Sequence, residues 1–287
     1  MGLAPILLAP AVNARLESSL TLTQERARRL ASARLCTQVG ILGFPNSGKT
    51  AALVSLYLLI SKGQLSGFQF RDSQTLMALE QISRGARWQN SDLPQQLTAH
   101  TEIADGRTAG FLHFRLFHES GNQSLDILIP DIPGEWTDAL VDENRTDRLQ
   151  FLRGSSVIWL FIDGRALDSL EQRGLLIHRM ETVVKRLSIL FGASPKPPIV
   201  FVGTRLDKAV PHAPSIQKLT EYAQGFDFEA SSVNVASFSE NGSVIQPGTG
   251  LSDLVSNLPG KQDAVPVSWP DAPKREGARS IMNLRGA

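Results

Sequence analysis

The sequence predicts an α/β fold with a mostly parallel, six-stranded sheet, one antiparallel strand, and helices on both faces. Short apolar runs typical of strands alternate along the chain with longer segments whose apolar residues have helical spacing. The runs at 155–163 and 197–204 are continuously apolar, as in parallel strands that are buried on both faces. A Gly-Asn turn signal separates the strand patterns at 111–118 and 124–130, which predicts one antiparallel hairpin.

The first part of the chain is predicted to contain an extension, a strand, a helix and an insertion. Residues 1–34 are the N-terminal extension, and their helical segment is expected to pack against the domain or against a partner. A strand at 37–42 and a helix at 49–61 follow. The insertion, 64–110, is predicted to hold a short helix that begins near Asp72 or Ser73 and a polar, loop-like remainder.

The main domain is expected to span residues 35–259, and the strand and helix patterns continue to its end. Beyond it, residues 260–287 are rich in Pro, Gly, Arg and Lys, which predicts a flexible tail. The remaining predicted elements are helices at 136–152, 166–192, 214–224 and 250–260 and a last strand at 231–237.

The composition excludes several classes of protein. With 29 basic and 28 acidic side chains, the net charge of +1 gives no reason to expect nucleic acid or a membrane surface as a partner. The single cysteine, Cys36, excludes an internal disulfide. No apolar run approaches the about 20 residues that a membrane span needs. The N-terminus lacks the basic start of a signal peptide, so we expect a cytoplasmic protein.

Residues 43–50, GFPNSGKT, have the glycine, lysine and threonine spacing of a phosphate-binding loop, between a predicted strand and a predicted helix. Glycines let the backbone curl, and its N–H groups together with the helix N-terminus attract anions. Lys49 supplies a charge for the outer phosphates, and Thr50 offers a hydroxyl to Mg²⁺. The alternative is a chance Gly-Ser turn before a helix. The loop predicts a P-loop NTPase fold of three layers, with nucleotide contacts from Gly43, Asn46, Ser47, Gly48, Lys49, Thr50 and Ala51.

An acidic residue, Asp131, follows the predicted strand in LDILIPDIPGEW. A carboxylate at this position, beside a phosphate loop, can hold Mg²⁺ through its water shell. Gly134 can offer its N–H to the terminal phosphate, where a side chain would obstruct the approach. The alternative is a strand-ending Asp before an ordinary Pro-Gly turn.

The segment 201–208, FVGTRLDK, predicts which base is bound. Thr204, Arg205 and Asp207 match the Asn/Thr-Lys-x-Asp pattern that reads guanine, with Arg in place of Lys. Asp207 would accept hydrogen bonds from guanine N1–H and the 2-amino group, whereas adenine would leave the carboxylate unpaired. Arg205 can lie against the plane of the base. The alternative is a loop aspartate that caps the next helix.

Together, the phosphate loop, the Asp-x-x-Gly segment after a hairpin strand and the base-reading segment resemble the TRAFAC class of P-loop GTPases over residues 35–258. The resemblance implies that Glu135 stands where Ras-like proteins usually have a water-orienting glutamine. Glu135 either positions water or is a solvent-facing glutamate favoured by the helix dipole, and hydrolysis is expected to be slow without a partner. The implied catalytic residues are Lys49, Gly134 and Glu135.

Two further sites are implied by the same resemblance. Ala236 and Ser237 stand at the position of the fifth class motif, where a backbone N–H contacts guanine O6. The threonine of switch I, which meets Mg²⁺ and the terminal phosphate, is expected to be Thr98, then Thr101, although Thr108 has the Ras-like distance to the following strand.

Three segments, GFPNSGKTAALVSLY, FRDSQTLMALEQISRGARW and DIPGEW, resemble the prokaryotic double-GTPase families. Those GTPases often occur as paired domains or in gene clusters with effector proteins. The resemblance implies a regulatory GTPase that uses GTP, GDP and Mg²⁺ in a multi-protein system, such as one for defence against mobile elements. One phosphate loop in this chain implies pairing with another GTPase chain or an effector encoded nearby. The alternative is a nucleotide-binding interaction module with little or no hydrolysis.

Overall fold

A computed structural model of the chain describes residues 21–87, 109–120, 123–239 and 244–258, without the side chains of residues 84–87. These residues form one sheet of seven strands, which are β1 Cys36–Leu42, β2 Phe68–Asp72, β3 Gly110–His118, β4 Gln123–Asp131, β5 Val157–Asp163, β6 Ile199–Thr204 and β7 Ala230–Asn234. The spatial order is β2-β3-β4-β1-β5-β6-β7. Only β3 runs against its neighbours within this sheet, so the predicted α/β class with one antiparallel strand is confirmed.

Helices cover both faces of the sheet and bury two apolar cores. The α-helices are α1 Gln24–Ala33, α2 Lys49–Ser61, α3 Leu76–Arg87, α4 Glu135–Asp142, α5 Gly164–Asp168, α6 Leu170–Phe191, α7 Ala213–Gln224 and α8 Leu251–Ser256, and a 3₁₀ helix spans Asp147–Gly154. Buried residues of α1, α4, α6 and α7 pack on one face, and those of α2, α3 and α8 on the other. The three layers arise because each helix buries an apolar side against the sheet. Within the described residues, no helix is long and apolar enough to cross a membrane.

The sheet has one strand more than the six predicted. Strand β2 lies at the edge of the sheet inside the predicted insertion, and only Phe68 of its residues is buried. An edge strand that is mostly exposed has no apolar alternation from which it could be recognised. The helix predicted near Asp72 begins instead at Leu76, because the intervening residues complete β2 and its turn.

Two predicted helices are each divided in the structure. The segment 136–152 forms α4 and the 3₁₀ helix, and Asn144 between them has a left-handed backbone with φ of 54°. A residue in this conformation cannot continue an α-helix. The segment 166–192 forms α5 and α6, because Ser169 leaves the helical conformation and caps α6 by accepting a hydrogen bond from the Gln172 N–H.

The described part of the N-terminal extension packs on the domain. Leu22 and Phe111 exchange two backbone hydrogen bonds of 2.8 Å, which place the residues before α1 beside β3. Ala27 and Leu30 of α1 are buried in the same core as α6. The helix therefore contributes to the core on this face of the sheet.

Candidate nucleotide-binding site

The predicted phosphate loop lies at the carboxyl end of β1, between β4 and β5, and leads directly into α2. Gly48 has a left-handed backbone with φ of 92°, and a Cβ there would approach Thr204 Cγ2 to 3.1 Å. A Cβ on Gly43 would lie only 2.6 Å from Ser47 Oγ. Both positions require glycine because the loop is folded closely on itself and on β6.

Lys49 is turned into this loop and is only 7% exposed. Its Nζ donates hydrogen bonds to the carbonyls of Gly43, at 2.7 Å, and Phe44, at 3.1 Å. Burial lowers the pKa of Lys49 to about 8, although the carboxylates of Asp131 and Glu135 oppose this shift. A buried ammonium group with only two carbonyl partners is suited to an anionic ligand.

Ser47 gives an independent indication that the loop fits a phosphate. Its Oγ is buried and has no hydrogen-bond partner within the described part of the chain. Buried hydroxyls without partners are rare, because leaving one unpaired costs free energy. A phosphate oxygen in the loop would accept the hydrogen bond that Ser47 lacks.

Asp131 and Gly134 lie beside the phosphate loop, as predicted. Asp131 ends β4, the neighbour of β1, and it is close enough to Lys49 to raise the pKa of that lysine. A Cβ on Gly134 would lie 2.4 Å from the Pro45 nitrogen, so the Gly134 backbone rests directly on the loop. Glu135 is the exposed first residue of α4. Thr50 lies in the first turn of α2, which follows the carboxyl end of β1, and Asp131 ends the neighbouring parallel strand β4.

The base-reading segment begins where β6 ends and touches the phosphate loop directly. The Thr204 hydroxyl donates a hydrogen bond of 2.9 Å to the Ser47 carbonyl and is almost fully buried. The Arg205 guanidinium donates one of 2.8 Å to the Asn46 carbonyl. Asp207 is partly buried in the turn that follows.

The alternative role for Asp207, a helix cap, does not agree with the structure. The next helix is α7, and its N-cap residue is His212. No hydrogen bond or ion pair of the Asp207 carboxylate is formed with any described residue. The carboxylate is therefore available for a ligand at the end of β6.

The two residues predicted for the fifth motif differ in the hydrogen bonding of their backbone N–H groups. The Ala236 N–H donates a hydrogen bond of 3.1 Å to the Thr249 carbonyl, so it is already engaged. Ser237 is buried in the bend that follows, and its N–H forms no backbone hydrogen bond with a described residue. Of the pair, Ser237 is thus the better placed donor. Thr98, Thr101 and Thr108, predicted for switch I, lie outside the described residues.

Three residues around the site were not predicted from the sequence. The buried Thr137 hydroxyl accepts a hydrogen bond of 3.1 Å from the Gly43 N–H and ties α4 to the loop. Asp163 caps α5 and lies 3.5 Å from Arg205 Nε. Arg179 of α6 contacts both the loop and α4. Asp163 could have been noticed as the polar end of an apolar strand, whereas Thr137 and Arg179 carry no sequence signal.

The geometry agrees with comparison to known families. Residues 37–259 match the family model described as Double-GTPase 2. The chain belongs to the Double-GTPase 2 family. The matched region contains the phosphate loop, Asp131 and the base-reading segment, and membership of this GTPase family supports GTP binding. The resemblance to double-GTPases predicted from the sequence is confirmed.

Comparisons with individual proteins give distant similarities. No curated protein matches the sequence. A mutation variant of SsGBP is similar to this Double-GTPase 2 chain with 14% identity and a TM-score of 0.36, over 74% of this chain and 54% of that one. This chain thus spans about half of that structure. The SRb-GTP/SRX complex of the signal recognition particle receptor from Chaetomium thermophilum has 13% identity, coverages of 72% and 94%, and a TM-score of 0.42. The Arl6 BBS3 small GTPase from Trypanosoma brucei, with bound GppNp, has 14% identity, coverages of 77% and 94%, and a TM-score of 0.41.

Proposed function

We propose that this protein binds GTP with Mg²⁺, hydrolyses it slowly and acts as a regulatory switch in a cytoplasmic multi-protein system. The observation that carries the proposal is the hydrogen bond from the Thr204 hydroxyl to the Ser47 carbonyl. This contact joins the segment that would read the base to the loop that would hold the phosphates. A nucleotide that fits one part is thereby positioned for the other.

Guanine is the base that the end of β6 favours. The Asp207 carboxylate accepts hydrogen bonds only, and guanine presents two donors, N1–H and the 2-amino group, on one edge. The Arg205 guanidinium, now on the Asn46 carbonyl, is flat and can lie along a base. The Ser237 N–H is the expected donor to guanine O6.

For the metal and the reaction, the residues at the ends of β1 and β4 have suitable chemistry. The Thr50 hydroxyl and the Asp131 carboxylate are oxygen ligands of the kind that Mg²⁺ takes, and Thr98 is proposed as the third. Bound Mg²⁺ would supply charge neutralisation at the phosphates. Lys49 holds the outer phosphates, and the Gly134 N–H meets the terminal one. Glu135 is exposed at the start of α4, directly after Gly134, and is the residue that would orient the attacking water.

The first experiment is competition binding of GTP, ATP and XTP to the purified protein in the presence of Mg²⁺. GTP should displace a fluorescent guanine nucleotide at concentrations well below those needed for ATP or XTP. A wild-type protein that prefers ATP would overturn the guanine assignment while leaving the phosphate loop in place.

A second candidate function is a GTP-binding interaction module without turnover. It is favoured by Glu135, because a carboxylate beside the terminal phosphate opposes the charge that develops there. Its discriminating measurement is single-turnover hydrolysis, alone and with another GTPase chain or with products of neighbouring genes. Hydrolysis that rises with such a partner supports the switch, whereas bound GTP that persists under all conditions supports the module.

A further inference from the structure

Arg179 lies on α6 and contacts two parts of the candidate site at once. Its guanidinium carbon stands 4.7 Å from the centre of the Phe44 ring, within the phosphate loop. The same group donates hydrogen bonds to the carboxylates of Asp138, at 2.8 Å, and Asp142, at 3.1 Å, both on α4. One side chain therefore joins the loop, α4 and α6.

The helix that carries Arg179 is a fixed point for these contacts. The next residue, Met180, and Val183 one turn later are fully buried in the core beneath α6. Closely packed cores resist small displacements of the helices that form them. A change in the relative position of the loop and α4 would therefore alter the contacts of the Arg179 guanidinium.

Two other contacts show that α4 and the loop meet closely. The Gly134 backbone, directly before α4, rests on Pro45. Thr137, one turn into α4, accepts the Gly43 N–H. A ligand that draws Gly134 toward a terminal phosphate acts on the start of α4, because α4 begins at the next residue.

Stability alone is a poor explanation for this arrangement. The Asp138 and Asp142 side chains are 37% and 54% exposed, and ion pairs with that much solvent contribute little to folding. The geometry, in contrast, is specific. A planar guanidinium can lie on a ring by its face and bond carboxylates by its edge, which a lysine ammonium cannot do together.

We propose that Arg179 is a positioning residue that couples the phosphate loop to α4, so that the arrangement of α4 follows the bound nucleotide. The inference rests on the proposed function. In it, α4 has two arrangements relative to α6, and the contacts of Arg179 with Asp138 and Asp142 favour one of them. The terminal phosphate biases the choice through Gly134.

The test is hydrogen–deuterium exchange of the peptide that contains residues 135–142, with GDP and with GTPγS bound. In the wild-type protein, exchange of α4 should differ between the two states by about 5-fold or more. In Arg179→Ala the two rates should become equal and the preference for GTPγS over GDP should change as well, because coupling between a ligand and a conformational equilibrium is reciprocal. Both nucleotides should still bind, because the residues of the phosphate loop are unchanged. Arg179→Lys should restore only part of the difference.

Arg173→Ala is the matched control, since Arg173 lies on the same helix and, among the described residues, its side chain bonds only the Leu167 and Asp168 carbonyls of α5. It should keep the wild-type difference. Asp138→Ala combined with Asp142→Ala removes the acceptors on the α4 side and should also equalise the rates, even if Arg179→Ala does not fold.

Three outcomes overturn the inference. One is a nucleotide-dependent difference that persists in the folded Arg179 and Asp138/Asp142 variants. Another is a wild-type protein that binds both nucleotides but shows the same exchange with each, which leaves GTP binding intact. The last is a wild-type protein that binds neither nucleotide, which overturns the proposed function as well.

Discussion

Lys49, the proposed phosphate-binding residue, is held in the loop at the expense of its own solvation. At neutral pH it is protonated although its pKa has fallen to about 8, and two loop carbonyls replace only part of its water. Ser47 likewise keeps a buried hydroxyl without a partner among the described residues. Such locally unfavourable features are retained where binding compensates for them.

We expect Lys49→Ala to abolish binding of GTP and its turnover while the fold survives. The lysine is a charge aimed at phosphate and does not fill the core, so its removal should leave the unfolding temperature of the nucleotide-free protein close to that of the wild type. Fluorescence-detected binding and circular dichroism check the two parts. An undiminished GTP affinity in the folded variant would contradict the assignment of residues 43–50 as a phosphate-binding loop.

Asp207→Asn should weaken GTP binding and improve that of XTP. Xanthine carries a carbonyl where guanine carries its 2-amino donor, and the amide of asparagine can donate to it whereas a carboxylate cannot. Loss of one hydrogen bond to a charged group corresponds to about 1.5–3 kcal/mol, or roughly 10- to 150-fold in affinity. Competition binding measures the ratio, and an unchanged GTP-to-XTP preference would contradict the role of Asp207.

Glu135 is predicted to leave intrinsic hydrolysis slow. Its negative charge opposes the charge that builds on the terminal phosphate. The sequence shows no arginine that is clearly placed to stabilise that charge as an arginine finger, although Arg107, Arg145 and Arg148 are candidates for this role. A finger from a partner is worth about 10³–10⁵ in rate. Single-turnover hydrolysis measures this. Fast turnover of the isolated protein that disappears in Glu135→Ala would instead make Glu135 a self-sufficient catalytic residue.

At the scale of elements, a buried polar cluster fixes the outer edge of the sheet. The His113 N–H donates to Thr75 Oγ1 at 2.9 Å, and Ser73 Oγ donates to the His113 carbonyl at 2.7 Å. The Gln74 N–H donates to His113 Nδ1, so the ring proton is on Nε2, which faces the Asp126 carboxylate at 3.1 Å. The turn between β2 and α3 is held by these bonds.

That cluster makes the stability of the fold depend on pH. Burial lowers the pKa of His113, although Asp126 opposes the shift, so the folded protein keeps the ring neutral. As the pH falls below the ordinary value of about 6.5, the unfolded chain takes up a proton that the folded one resists. The free energy of unfolding should therefore be highest above that pH and decline below it. Urea denaturation at pH 7.5 and 5.5 checks this.

The pH dependence can be assigned with matched variants. His113→Gln should be less stable at pH 7.5 and show a flatter decline, because the titrating group is gone. His178→Gln, at an exposed position of α6, should retain the wild-type decline. Equal slopes in wild type and His113→Gln would place the effect elsewhere.

At the scale of the whole molecule, the helix before the family region is part of the core. The family match begins at residue 37, yet Leu22, Ala27 and Leu30 lie in the same apolar cluster as α6. The unit that folds is thus larger than the region that defines the family. Removal of α1 would uncover β3 and the 3₁₀ helix.

Leu30→Ala should destabilise the protein by about 2–5 kcal/mol, the range for buried leucines that leave a cavity. Leu35→Ala is the control, since Leu35 is 64% exposed and its truncation should stay within about 0.5 kcal/mol. Chemical denaturation of the two variants gives the comparison. A Leu30→Ala protein as stable as the control would contradict the contribution of the Leu30 side chain to the core.

The sequence predicts those parts of the molecule in which a chemical requirement restricts residue type. A phosphate loop needs glycines that let it curl and a cation for the phosphates, which singles out Gly43, Gly48 and Lys49. Asp207 is predicted as the base-reading residue because guanine would require an acceptor there. Strand β2 and Thr137 could not be predicted, since an exposed edge strand and a single hydroxyl depend on which distant residues they meet. The contact of Arg179 with Phe44 and Asp138 joins three separate segments, and no local pattern indicates it.

The pairing of Leu22 with Phe111 has a consequence for synthesis on the ribosome. The two residues are 111 − 22 = 89 positions apart, and all of that chain must be translated before they can meet. At about 5–20 residues per second, the nascent chain exposes the apolar side of α1 for roughly 4–18 s before β3 emerges. The phosphate loop and α2 are translated during that interval, whereas the apolar side of α1 stays uncovered until β3 has been made.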